Sequence, residues 1–151
     1  MSIKPVVLAT TAGGITIFAI GTLIFVLPPL AEFYTYAMTS GSATGVPREL
    51  PIVWAAFLGA LSYAALVTFA VSKHESLNAA AGFKTGAVVG FLLWFTADLM
   101  LYAVSNVGTL TSTLPDALIE PIPGAIGGAV IAIVLRRSRH TEGARLEHAS
   151  A

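Results

Sequence analysis

The sequence predicts an all-α protein: a polytopic bundle of four transmembrane helices with both termini on the cytoplasmic side. Four apolar stretches, at about 5–36, 51–72, 79–104 and 116–135, reach the ~20 residues that a helix needs to cross a ~30 Å hydrocarbon core. Seven of the eight Lys and Arg residues lie at one side of these stretches, and cytoplasmic loops are enriched in both residue types. The seven are Lys4, Lys73, Lys84, Arg136, Arg137, Arg139 and Arg145, and the eighth, Arg48, lies in the first connection.

Composition supports the same class. The chain is 56% hydrophobic and 11% charged, whereas soluble domains carry about 25% charged residues. A formal net charge of zero gives no preference for nucleic acid, which we do not expect as a partner. The chain has no Cys, which excludes disulfides and thiolate metal sites, and its three His residues have no metal-like spacing. We therefore predict no metal and no cofactor.

The first two spans are predicted from their prolines. The pair Pro28–Pro29 should bend span one near its outer end, so that residues 31–36 continue along the interface. The segment 39–48 is rich in Gly, Ser and Thr and is typical of an outer loop. Pro51 then suits the first turn of span two. We predict one transmembrane domain over residues 1–137, followed by a polar cytoplasmic tail at 138–151.

Small residues recur every fourth position in spans two to four. Such spacing lets helix backbones approach closely in lipid, which predicts a tightly packed bundle or a contact between copies. Packing within one chain is the simpler interpretation. The helix-packing residues are Ala56, Ala60 and Ala64 in span two, Gly82, Gly86 and Gly90 in span three, and Gly124 and Gly128 in span four.

Asp98 is the most informative single residue of span three. It lies 14 residues beyond Lys84, or about 21 Å along a helix, which places it in the outer half of the membrane. A central Asp costs roughly 2.5–3.5 kcal/mol on insertion, so it should face the bundle interior or be protonated. Tyr102 and Ser105, one and two turns later, share its helix face and are predicted to line a polar crevice with it.

Glu120 has a similar depth in span four, because it lies 16 residues before Arg136. Pro121 and Pro123 interrupt the helix beside it, and irregular backbone at this depth must be buried in protein or line a wet cavity. Asp98 and Glu120 together could share a proton, bind a cation or perform acid–base chemistry. The alternative is that both carboxylates only bond to helix ends near the outer interface.

Spans three and four resemble a bacterial family of small predicted four-helix membrane proteins of unknown function. The similarity rests on Gly90, Trp94, Thr96, Asp98 and Leu99 in span three and on Glu120 and Gly124 in span four. The chain departs from the family at Ala97, where a second aromatic is expected, and at Met100 and Leu101, which replace Thr-Asn. The resemblance implies a bacterial inner membrane protein and no particular activity.

Three functions remain open from the sequence. The first is a non-enzymatic bundle that binds membrane lipids or another membrane protein, with a homo-oligomer as a further possibility; no catalytic motif is present. The second is an oligomeric transporter or channel for a proton, cation or small solute that uses Asp98 and Glu120. The third is an intramembrane enzyme acting on a lipid or quinone, which we rank last because no nucleophile or cofactor motif accompanies the carboxylates.

Overall fold

The computed structural model describes residues 3–45 and 51–149, without the side chains of 140 and 142–149. Arg48 therefore lies outside the described residues. The prediction of an all-helical chain with four membrane-spanning segments is confirmed: the described residues form helices and no strand, and four segments are long and apolar enough to cross a membrane. The helices are α1 (Ile3–Val26), α2 (Leu30–Thr39), α3 (Val53–Ser72), α4 (Ala79–Val104), α5 (Leu110–Ile119) and α6 (Pro121–Ala149).

The first and fourth apolar stretches each contain two helices. α1 ends at Val26, before a cis Pro28–Pro29 peptide bond, and α2 follows as a separate helix within the predicted first span. The fourth apolar segment is Leu110–Arg139, which begins earlier than predicted and contains all of α5 and most of α6. α6 also continues through most of the predicted tail, because no Pro follows Pro123.

The four spans alternate in direction. α1 runs antiparallel to α3, since Thr10 bonds to Thr68 at one end and Phe18 packs on Phe57 towards the other. α4 runs antiparallel to α6, because Gly82 faces Gly128 and Gly86 faces Gly124. The start of α1, the α3–α4 connection and the last turns of α6 consequently share one end of the bundle. We call it the basic end, because Lys4, Lys73, Lys84 and Arg136 lie there.

Glycines set the distance between α4 and α6. A Cβ at Gly86 would overlap the carbonyl oxygen of Gly124, and one at Gly82 would overlap that of Gly128. The two glycine ladders therefore pack against each other within one chain. An apolar core lies below them towards the basic end, where Val67, Val71, Ile131 and Leu135 are at most 1% exposed.

The opposite end is tied by hydrogen bonds between two connections. Gly41 N–H donates to the carbonyl of Val107 at 3.1 Å, and Ala43 N–H donates to that of Asn106 at 2.9 Å. A Cβ at Gly41 would collide with the Asn106 carbonyl, so glycine is required by this close approach. Ser40 and Ser112 hydroxyls lie 2.9 Å apart beside it. These contacts, which we call the loop tie (residues 40–43 with 105–112), hold the end of α2 against the start of α5.

Candidate functional site

Three carboxylates from consecutive helical segments interact electrostatically at the end of the bundle that holds the loop tie. Asp98 belongs to α4, Asp116 to α5, and Glu120 to the junction between α5 and α6. Asp116 acts electrostatically on both Asp98 and Glu120, and Asp98 also acts on Glu120. The structure thus brings Asp98 and Glu120 together with a third carboxylate. We call Asp98, Asp116 and Glu120 the carboxylate cluster.

Local helix geometry explains why two of the three face the same way. Asp116 and Glu120 are four residues apart, so they occupy one side of the final turns of α5. The N–H of Glu120 still donates to the carbonyl of Asp116 at 3.1 Å. Pro121 cannot extend this hydrogen-bond pattern, and α6 begins there in a new helix. The break leaves the Glu120 side chain 6% exposed, inside the bundle.

Tyr34 supplies the hydrogen-bond donor of the cluster. Its hydroxyl donates to Oε1 of Glu120 at 3.1 Å, and it also interacts electrostatically with Asp116. The phenol is 5% exposed and packs on Phe25, with ring centroids 4.3 Å apart. The loop tie joins the end of α2 to the start of α5, and it therefore helps to position Tyr34 beside Glu120.

Tyr63 approaches the cluster from α3. Its hydroxyl occupies the space where a Cβ of Gly90 or Gly124 would lie, so the glycine ladders accommodate the phenol as well as each other. The residue is 5% exposed and interacts electrostatically with Glu120. Its hydroxyl makes no hydrogen bond to any described residue. The site therefore includes a buried hydroxyl whose hydrogen-bonding capacity is unused by the described residues.

Four buried side-chain polar atoms lack a hydrogen-bond partner among the described residues, and three of them belong to the site. Two can donate, and two are carboxylate acceptors; buried polar groups in native proteins are normally paired. They are the Tyr63 hydroxyl, Trp94 Nε1, Asp98 Oδ2 and Asp116 Oδ1. Such a set of donors and acceptors suits a proton, a water molecule or another small polar group.

Two other residues predicted for the site, Tyr102 and Ser105, make no hydrogen bond to the carboxylate cluster within the described part of the chain. Tyr102 is 43% exposed on α4. Ser105 directly follows the last residue of α4, and its hydroxyl donates to the carbonyl of Leu101 in the last turn at 2.6 Å. Their lining of a crevice with Asp98 stays a prediction.

The residues predicted for the site from the sequence did not include Asp116, Tyr34 or Tyr63. One signal was available: Asp116 and Glu120 have the spacing of neighbours on one helix face. No comparable signal links Tyr34 to Glu120, because 86 positions separate them and the contact depends on tertiary folding.

The cluster is not balanced by a cation within the part of the chain that the structure describes. No Lys or Arg there forms an ion pair with Asp98, Asp116 or Glu120. No three His, Asp or Glu side chains among the described residues lie close enough together to hold a metal ion. No protein-family model, curated protein or solved structure matches the chain.

Proposed function

We propose that this multi-pass membrane protein is non-enzymatic and binds protons at the carboxylate cluster, so that it responds to the pH outside the cell. The proposal places it in the cell membrane, the inner membrane of a bacterium, with both termini cytoplasmic. The observation that supports it is the electrostatic interaction of Asp98, Asp116 and Glu120 beside two buried phenols, with no described cation among them.

Charge balance favours protons as the ligand. An ionised Asp near the membrane centre costs roughly 2.5–3.5 kcal/mol on insertion scales. Three ionised carboxylates that interact electrostatically add repulsion to that cost, because like charges disfavour each other's ionised form. Shared protons remove both penalties and let a neutral carboxyl donate to an unpartnered acceptor. The spacing of the carboxylates does not favour a metal ion as the alternative.

The position of the cluster favours proton binding from one side of the membrane over proton passage through the bundle of a single chain. Positive charge at the basic end supports a cytoplasmic location for that end, which puts the carboxylate cluster in the outer half. Between the cluster and the basic end, the buried core is mostly Val, Ile, Leu and Ala, and Thr10 and Thr68 bond to each other. The described residues thus offer no continuous polar route across the bundle.

Proton binding at the cluster uses Asp98 and Glu120, the carboxylates of the transporter hypothesis. It also keeps the protein non-enzymatic, as in the hypothesis of a bundle that binds lipids or another membrane protein. The proposal also includes the family resemblance as an expectation, because Asp98 and Glu120 are among the positions that carry it. A relative with a carboxylate at both positions would be expected to bind protons in the same way.

Proton uptake by the purified protein in lipid nanodiscs tests the function. We would count the protons taken up between pH 8 and pH 5 with a soluble pH dye, for the wild type and for Glu120→Gln. The expected result is a smaller uptake in Glu120→Gln by about one proton, since one titrating carboxyl is removed. The matched control is Glu32→Gln on α2, an exposed residue outside the cluster.

A second arm addresses Arg48, the one outer cation of the sequence. If the cluster shares protons, Arg48→Gln should leave the uptake between pH 8 and pH 5 unchanged. A larger uptake in Arg48→Gln would contradict the proposal, because it would show that Arg48 balances the carboxylates. An unchanged uptake in Glu120→Gln, Asp98→Asn and Asp116→Asn would contradict it as well.

A further inference from the structure

A groove lies at the opposite end of the bundle, between α3 and α4. It has a volume of about 370 Å³ and is lined by Ala70, His74, Lys84, Thr85, Val88 and Val89. Ala70, Val88 and Val89 form an apolar floor within two membrane-spanning helices, whereas His74 and Lys84 lie near the basic end. The groove thus has an apolar part facing the membrane and a basic part facing its surface.

The basic part is fixed by a contact between the two helices that form the groove. His74 follows the end of α3, and its Nε2 lies 2.8 Å from the Thr85 hydroxyl on α4. Thr85 is the direct neighbour of Lys84, so the imidazole is held beside the lysine. The groove therefore has a defined polar edge where the hydrogen bond joins α3 to α4.

Lys84 is available to a ligand. It is exposed, and it forms no ion pair with any described residue. It lies five residues beyond the start of α4, roughly 8 Å along the helix, and a lysine stem is long enough to bring its ammonium group to the membrane surface. Lys73 lies in the connection between α3 and α4, with its Nζ 4.9 Å from the Phe69 ring centroid. Glu75 is the one acidic residue of this connection, so Lys73 and Lys84 together outnumber the acidic residues beside the groove.

We propose that this groove binds one anionic phospholipid, with its phosphate between Lys84 and His74 and the upper part of one acyl chain along Val88 and Val89. A phospholipid fits because its acyl chain can lie on the apolar floor, which opens to the membrane. A soluble anion has no apolar part that could contact this floor. Basic pockets between transmembrane helices on the cytoplasmic side are suited to anionic headgroups. The site is independent of the carboxylate cluster, which lies at the other end of α4.

Native mass spectrometry of the wild type with dioleoyl phosphatidylglycerol, and separately with dioleoyl phosphatidylcholine, tests the site. We expect one tightly retained phosphatidylglycerol and weaker retention of phosphatidylcholine. Lys84→Gln should weaken the first phosphatidylglycerol by about five-fold, since a lysine near anionic lipid contributes about 1 kcal/mol. Lys4→Gln is the matched control, because it removes the same charge at the basic end from a helix that does not line the groove.

Two further measurements distinguish lipid binding in the groove from general electrostatic attraction to the basic end. Ala70→Leu fills the floor without changing charge and should also reduce phosphatidylglycerol retention. Soluble glycerol phosphate at millimolar concentration should leave the bound lipid in place, because it lacks the acyl chain. Equal losses in Lys84→Gln and Lys4→Gln, no loss in either, full retention in Ala70→Leu, or displacement by glycerol phosphate would overturn the proposal.

Discussion

The hydroxyl of Tyr34 donates a 3.1 Å hydrogen bond to Oε1 of Glu120, 86 positions further along the chain. This contact joins the short helix α2, which follows the Pro28–Pro29 break, to the α5–α6 junction, which precedes Pro121. Both proline interruptions therefore contribute to the same contact. The helix α2 brings a donor to the carboxylate that the second interruption leaves inside the bundle.

Removal of this donor should destabilise the end of the bundle that holds the carboxylate cluster. Tyr34→Phe keeps the ring but leaves buried Glu120 without its partner, and such a loss costs about 1–3 kcal/mol. Thermal unfolding in detergent should show a lower midpoint. Tyr36→Phe is the control, because Tyr36 is 52% exposed and its hydroxyl has no partner among the described residues. Equal midpoints for the two variants would contradict the assigned role of Tyr34.

The glycine ladder should tolerate no added methyl group. Gly86→Ala would push a Cβ against the Gly124 carbonyl oxygen and to 3.2 Å from the Gly128 Cα, so α4 and α6 would have to separate. Overpacking of this kind costs about 1–3 kcal/mol, which a lower unfolding midpoint would report.

The control for the ladder is Gly59→Ala on α3, where nothing lies within 4 Å of the added Cβ. An alanine within a helix is favoured over glycine by about 0.5–1 kcal/mol, so Gly59→Ala should unfold at an equal or higher temperature than the wild type. If Gly86→Ala were as stable as Gly59→Ala, the close approach of α4 and α6 would be wrong.

The loop tie should loosen when Ser112 loses its hydroxyl. The Ser112 hydroxyl donates to the Thr109 carbonyl at 2.8 Å, accepts from the Thr109 N–H at 3.2 Å and lies 2.9 Å from Ser40 Oγ. Loss of such a cap costs about 1 kcal/mol. Hydrogen–deuterium exchange should therefore accelerate at 40–43 and 105–112 in Ser112→Ala. The control is Ser62→Ala, whose exposed hydroxyl bonds only within α3; equal exchange in both variants would count against the tie.

Neutralising one member of the carboxylate cluster should stabilise the protein at alkaline pH. There the three carboxylates carry the most negative charge, and Asp98→Asn removes one of them without changing side-chain shape. Each kcal/mol of relieved repulsion should raise the unfolding midpoint by about 2–4 °C. The comparison is Glu32→Gln, which lies outside the cluster. A lower midpoint in Asp98→Asn would show that the carboxylate is needed as an ionised structural partner.

The sequence was sufficient for the parts of the fold that depend on local pattern. Apolar length predicts the four spans, and Gly86 and Gly124 stand out by spacing alone. The bounds of the fourth span were harder to predict, because Pro115 lies within α5 whereas Pro121 begins a new helix. A proline has the same covalent restriction in both places, and only the neighbouring packing decides whether the helix continues.

The site was predicted only in part for a similar reason. Depth along a helix gave Asp98 and Glu120, since it needs only a count of residues. The contribution of Tyr34 and Tyr63 depends on which helices pack together, and both are aromatic residues that would fit an ordinary apolar core. The hydroxyls of Tyr34 and Tyr63 can be assigned to the site only once the fold places them beside Glu120, with whose carboxylate each interacts.

Infrared spectroscopy of the carboxyl groups tests the central claim, proton binding by the cluster, most directly. The wild type in lipid should show a band of protonated carboxyl groups that disappears on titration to alkaline pH. The account predicts that this band is reduced in Asp98→Asn, Asp116→Asn and Glu120→Gln and is unchanged in Glu32→Gln. A band that is absent from the wild type across this range, or that survives in all three cluster variants, would contradict it.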